Sequence, residues 1–266
     1  MFVVMGIYAL ILGAAVGSFL NVVIYRYPRE ESIVFPASRC PNCGAGIRWY
    51  DNVPVLAYIW LGGRCRSCRS TISPLYPLIE LANALFYLAI FLRTGVSIGF
   101  VPLAIIVSMT IVLIYIDLEI QILPDVIDLP GIAVGLIIGL LQLGLLYRDL
   151  TLSVHLLDSL AGAILGGGML LSVALIYKWF RKVDGMGLGD VKMLAMLGAV
   201  VGWRAVFPLL FIASFAGAIL GVGLAIRDRQ NLQFPIPFGV FLGLATFAVM
   251  FFGPTLFAWY RSLLVV

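Results

Sequence analysis

Residues 98–125 read IGFVPLAIIVSMTIVLIYIDLEIQILPD. From Ile98 to Ile116 the run carries no charge, and a helix of that length crosses about 30 Å of hydrocarbon. It then meets an acid, Asp117, followed by Glu119 and Asp125. Acids at the edge of a lipid-length run are costly, so they call for a partner or a use. The stretch therefore sets both questions: which solvent the fold lives in, and what its acids do.

Composition extends the first answer to the whole chain. Of 266 residues, 62% are hydrophobic and 11% charged, and the mean hydropathy is +1.10. Soluble domains hold about 45–50% apolar and about 25% charged residues. Apolar segments recur near 3–25, 76–93, 98–116, 126–147, 154–180, 190–203, 205–226 and 238–260. The sixth is short and is read as tilted, re-entrant or fused to its neighbour, which leaves seven as the alternative count. The predicted fold is an all-α polytopic membrane protein with about eight transmembrane helices and one small polar insert. The net charge of +4 gives no sign of nucleic-acid binding.

Charge placement suggests an orientation. The first segment begins MFVVMG and meets its first basic residue only at Arg26, the reverse of a cleavable signal peptide. With eight spans, four of the 17 Lys and Arg residues fall in outer positions: Arg93, Arg148, Arg204 and Arg261. The remainder cluster inside, which by the positive-inside rule puts the amino terminus outside. Glycines four residues apart, such as Gly13 and Gly17, Gly131, Gly135 and Gly139, Gly162 and Gly166, and Gly217 and Gly221, read as close-packing positions between helices.

Three regions follow: a first helix at 1–25, an insert at 26–75 and a bundle at 76–266. The insert is too short to build a core without a staple. It holds Cys40-Pro-Asn-Cys43 and Cys65-Arg-Ser-Cys68, two CxxC pairs. Two such pairs complete a tetrahedral four-sulfur site, which points to structural zinc. Iron, redox-active thiols and two disulfides are the alternatives, and an inner-face location disfavours disulfides.

The acids form two groups on the same membrane side. One is Asp117, with Glu119, Asp125 and Asp128 nearby; the other is Asp190 in GMGLGDVK at 185–192. Two carboxyls that share one proton activate water and polarise a carbonyl without a serine nucleophile. His155, the one histidine, lies at the outer end of span five, so a Ser-His-Asp triad on the inner face is not expected. Gly187 and Gly189 before Asp190 let a substrate strand approach the backbone. The residues alone leave an ion path or ordinary interface acids open. Asp125 after Pro124 is read as an N-cap of span four, and Glu119 and Asp128 as loop or helix-start charges.

At this point the chain resembles the prepilin peptidases, the type IV leader peptidases. The resemblance rests on GSFLNVVIYRYP at 17–28, CPNC at 40–43, WYDNVPVLAYIWLGGRCRSCRSTISPLYPLIE at 49–80, IDLEIQILPD at 116–125 and GMGLGDVKMLAMLGA at 185–199. It implies a GxGD aspartic peptidase with Asp117 and Asp190 as its catalytic pair. It further implies cleavage of basic leaders from type IV prepilins and from pseudopilins of type II secretion, at the cytoplasmic face of the bacterial inner membrane. Family members with the cysteine insert usually also N-methylate the new amino terminus with S-adenosylmethionine. For that step Glu80 is the candidate, with Asn21 and Arg26 weaker. Glu80 reads equally well as a structural acid paired with Asn83 or Arg26. A peptidase without methyl transfer, and a transporter using membrane carboxylates, are the alternatives; the GxGD and the cysteine insert speak against the transporter.

Overall fold

The computed structural model describes residues 1–141, 155–183, 187–227 and 237–264. Arg148, the connection at 144–153 and Gly185 lie outside them. The apolar run at 98–116 becomes helix α4, Phe100–Ile120, which continues past its expected end and carries Asp117 on its last turn. The other helices are α1 (Phe2–Arg26), the short α2 (Leu56–Trp60), α3 (Leu75–Thr94), α5 (Asp125–Leu140), α6 (Leu156–Arg181), α7 (Leu188–Val201), α8 (Trp203–Arg227) and α9 (Phe238–Leu264). Among the described residues, eight long helices lie where eight apolar segments were expected. Five are long and apolar enough to cross a membrane, in α1, α3, α4, α6 and α8; α5 and α7 are shorter, at 16 and 14 residues. Nor is α7 fused to α8. Gly202, at φ 78°, breaks the helix between Val201 and Trp203.

Two compact units divide the chain within α4, Met1–Val112 and Leu113–Val266. In the first, α1 packs along α3. A Cβ at Gly13 would stand 2.7 Å from the Ala84 Cα, and one at Gly17 2.7 Å from the Glu80 Cα. The absence of side chains at this four-residue spacing is what lets the two backbones touch. Polar atoms here satisfy one another, as a lipid-surrounded interior requires. The Asn83 amide donates to the Gly13 carbonyl at 2.7 Å and accepts from the Ser108 hydroxyl at 3.1 Å, and Ser108 also bonds the Tyr87 hydroxyl at 3.0 Å.

In the second unit the shortest helix is the most enclosed. α7 packs against α5, α6, α8 and α9, and Met193, Leu194, Met196 and Leu197 are fully buried. Glycines again set the spacing. A Cβ at Gly162 of α6 would collide with the Gly198 carbonyl of α7, and a Cβ at Gly198 with the Gly162 carbonyl. A Cβ at Gly135 of α5 would stand 2.7 Å from the Ala199 Cβ. These contacts hold the carboxy-terminal end of α7 against α5 and α6, and Asp190 lies in the first turn of α7.

A substitution follows from the reciprocal glycine contact. Gly162→Val forces backbone apart, so it costs at least about 2 kcal/mol, within the range for overpacking. Thermal unfolding in detergent reads it as a lowered midpoint. Gly217→Ala is the control, because its Cβ meets Phe241 at an ordinary 3.6 Å and leaves the midpoint in place.

Candidate active site and metal centre

Asp117 is 4% exposed at the end of α4. Its Oδ2 accepts the backbone N–H of Val240 at 3.1 Å, in the first turn of α9. The first N–H groups of a helix lack intrahelical partners and attract a carboxylate. Gly239 permits this approach, because a Cβ there would stand 2.8 Å from the same oxygen. Asp190 is half-buried in the first turn of α7, which Gly187 caps in extended conformation. A Cβ at Gly189 would stand 2.8 Å from the Leu123 Cβ, and one at Gly239 would stand 3.2 Å from the Leu123 Cδ1. Leu123 thus lies between the glycine preceding Asp190 and the glycine against Asp117. The two carboxyls lie within electrostatic reach of one another.

The neighbouring acids differ from their expected roles. Pro124, not Asp125, is the N-cap of α5, and Asp125 makes no cap bond. The Asp125 carboxylate instead takes the Lys192 ammonium on both oxygens, at 2.6 and 2.7 Å, tying the start of α5 to the start of α7. Glu119 is exposed on the last turn of α4. Asp128 does start a helix, but it is not a surface charge: it is fully buried. His155 caps α6 by a reciprocal bond with Asp158, which also accepts from the Trp203 indole at 3.0 Å. Trp203 follows the far end of α7 from Asp190, so the histidine is remote from that acid.

The cysteines come together without bonding covalently. All four Sγ atoms lie within 4.8 Å of one another, and Cys40 and Cys68 are 3.9 Å apart. A tetrahedral metal with S at about 2.3 Å sets its sulfurs about 3.8 Å apart, so the cluster fits a four-sulfur ion. The two pairs are built alike. Gly44 N–H bonds the Cys40 carbonyl as Arg69 N–H bonds that of Cys65, Cys40 N–H bonds the Ala45 carbonyl as Cys65 N–H bonds that of Ser70, and the bridges Arg39–Gly46 and Arg64–Thr71 match. Gly44 and Arg69 share a positive φ, at 71° and 61°. The Ser70 hydroxyl draws the Cys68 thiol down to about 6, and the Cys43 amide lowers Cys40. Beside the cluster, the Arg66 guanidinium grips Asp51 with two bonds at 2.7 and 2.6 Å and holds its carboxyl below the usual range.

Glu80 is placed differently from either pairing expected for it. Its Oε2 accepts the Val55 N–H at 2.7 Å, and the nearby Asn21 amide donates to the Tyr76 carbonyl at 3.1 Å. Asn83 is occupied by Gly13 and Ser108, and Arg26 donates to the carbonyls of Ser32 and Pro36. Val55 sits at φ 62°, ψ −51°, a conformation costly for a β-branched residue. Glu80, Asn21 and Arg26 line a cavity of about 1070 Å³ formed by α1, α3 and the insert.

Gly239, Leu123, Lys192 and Val55 were not singled out from sequence. The signal for Gly239 was the proline-spaced FPIPFG at 234–239, and that for Lys192 was a cation two residues after Asp190 in an otherwise apolar helix. The buried state of Asp128 left no signal, because its neighbours in sequence resemble any polar helix start.

Comparison with known proteins is consistent along the chain. Residues 11–94 match the bacterial peptidase A24 N-terminal domain, and residues 104–222 match the type IV leader peptidase family. The chain is 35% identical to a prepilin leader peptidase/N-methyltransferase of Aeromonas hydrophila, over 93% of this chain and 90% of that protein. It is 36% identical to one of Burkholderia pseudomallei (strain 1026b), over 92% and 85%, and 35% identical to one of Pseudomonas putida, over 94% and 91%. No solved structure matches the chain.

Proposed function

The chain belongs to the type IV leader peptidase family, and from that membership we propose that it cleaves the basic leader from type IV prepilins and pseudopilins and then N-methylates the new amino terminus. The observation that carries the reading is the packing of Leu123 between Gly189, which precedes Asp190, and Gly239, which touches Asp117.

In the proposed reaction Asp117 and Asp190 share one proton and titrate as a pair. The ionised member takes a proton from water as the water oxygen bonds the scissile carbonyl carbon. The neutral member hydrogen-bonds the carbonyl oxygen as it gains charge. The C–N bond then breaks as a proton passes to the leaving nitrogen. The cut lies at the cytoplasmic edge of the inner membrane, where the pilin helix stays in lipid and its basic leader in water. Loop charges support that sidedness.

The four cysteines, Cys40, Cys43, Cys65 and Cys68, hold zinc in a structural role, since four sulfurs leave no open position. The cavity beside Glu80 takes the methyl donor. Its volume suits one, as ligand pockets run to about 300–1,000 Å³. S-Adenosylmethionine, when bound, supplies an electrophilic methyl group. Glu80 would accept the proton that the amine must lose on methylation.

Incubation of the purified protein with a prepilin in detergent tests the function. A leader-sized mobility shift is expected, and an unshifted prepilin refutes the peptidase reading. For the second step, Glu80→Gln keeps an acceptor for Val55 but not a base. Methylation should fall about 10²-fold, the lower part of the range for a lost general base, with cleavage unchanged. Full methylation in that variant removes Glu80 from the reaction.

A further inference from the structure

Residues 121–124 link the last turn of α4, which carries Asp117, to the start of α5 at Asp125. Gln121 turns the chain there at φ 55°. This link and the residue that ends it meet α7 on both sides of Asp190 in sequence. Leu123 lies against Gly189, where a Cβ would stand 2.8 Å from the Leu123 Cβ. Asp125 holds the Lys192 ammonium on both carboxylate oxygens, at 2.6 and 2.7 Å. One contact thus falls on the residue before Asp190 and the other on the second residue after it.

The packing of α7 shows why the second contact matters. Its carboxy-terminal half is seated backbone to backbone, Gly198 on Gly162 and Ala199 on Gly135. Its first turn is held less closely. The N-cap Gly187 makes no side-chain cap bond. On the α6 side, a Cβ at Gly167 would stand an ordinary 3.7 Å from the Val191 carbonyl. Apolar contact of this kind opposes approach but has no preferred direction, whereas an ion pair with two hydrogen bonds fixes geometry as well as distance. The two side chains are 34% and 56% exposed, so the pair adds little to overall stability. Its effect falls on where the first turn of α7 sits.

The geometry points to Asp125 and Lys192 as positioning residues for the aspartate pair: their ion pair ties the link that follows Asp117 to the helix turn that carries Asp190, and so sets the separation of the two carboxyls. The inference rests on the dyad proposed above. Neither Asp125 nor Lys192 takes part in the cleavage scheme. Each acts only through the other, and both act through the placement of Asp190. Displacement of a catalytic group by about 1 Å costs up to about 10²-fold in rate, so a tie worth little to the fold is worth more to the reaction.

The test measures kcat and KM for prepilin cleavage in Asp125→Asn, Lys192→Met, the double variant and Lys192→Arg, with melting temperatures alongside. Each single variant lowers kcat by at least about fivefold, the upper worth of an exposed ion pair, with KM and the melting temperature in place. The double variant loses no more than the worse single one, because the two residues act as a unit. Lys192→Arg keeps a cation whose fork fits a carboxylate and stays near the parent. Parental kcat in both single variants overturns the inference. So do losses that multiply in the double variant, and a change confined to KM, which would make Lys192 a substrate contact. A variant that fails to fold makes the pair structural and overturns it too, as does a Lys192→Arg protein as slow as Lys192→Met. Asp190→Asn, run in parallel, separates the two readings. Cleavage by that variant removes the dyad, whereas an inactive Asp190→Asn beside parental kcat in Asp125→Asn and Lys192→Met removes this inference alone.

Discussion

Asp117→Asn and Asp190→Asn each lower prepilin cleavage by at least about 10³-fold, within the range for a lost acid or base, while both proteins melt like the parent. Asparagine preserves size and a carbonyl acceptor but cannot take up or release a proton at the carboxyl. The choice matters most at Asp117, which has an evident structural duty: it accepts the Val240 N–H at the start of α9. Asparagine serves as an N-cap about as well as aspartate. If capping were the only role of Asp117, the variant would cleave normally. A timed mobility-shift assay on both variants therefore tests the chemistry apart from the fold, and full activity in either one refutes the dyad.

The Cys40→Ser, Cys43→Ser double variant loses its metal and the folded state of residues 26–75. Metal binding at such sites is worth about 10–16 kcal/mol and is coupled to folding. Whole domains are stable by only about 5–15 kcal/mol. The insert has few buried apolar side chains of its own; Cys40 and Ala57 are buried, whereas Trp49, Ile59 and Trp60 are exposed. It cannot absorb the loss. Metal analysis should fall from one equivalent to none, limited proteolysis should cut within the insert, and methylation should fail because Val55 no longer meets Glu80. Unchanged metal content would refute the four-cysteine site. If the metal proves to be iron, the site stands and zinc does not.

What the sequence made legible was local. A CxxC knuckle folds on bonds spanning five residues, such as Cys40 N–H to the Ala45 carbonyl, so spacing alone revealed the site. The apolar run at 98–116 announced α4 because length and hydropathy are properties of the segment itself. The paired glycines were readable for the same reason, although only contact with α7 explains why Gly162 admits no side chain while Gly217 does. The remainder depends on register between distant helices. Lys192 meets Asp125 across 67 positions, and Val240 meets Asp117 across 123. No local pattern encodes either meeting. Asp125 looked like a cap because it follows Pro124, and Asp128 looked solvated because polar helix starts usually are. Packing of α5 on α7 decided both.

The central claim is that one aspartate pair removes the leader before the new amino terminus is methylated. Intact-mass measurement of a prepilin incubated with S-adenosylmethionine and either the parent or Asp190→Asn tests it most directly. With the parent, the product should lose the mass of the leader and gain about 14 Da, one methyl replacing hydrogen in a group-transfer step. With Asp190→Asn, the prepilin should keep its starting mass. An uncut prepilin with the parent, or a cut one with the variant, would contradict the account.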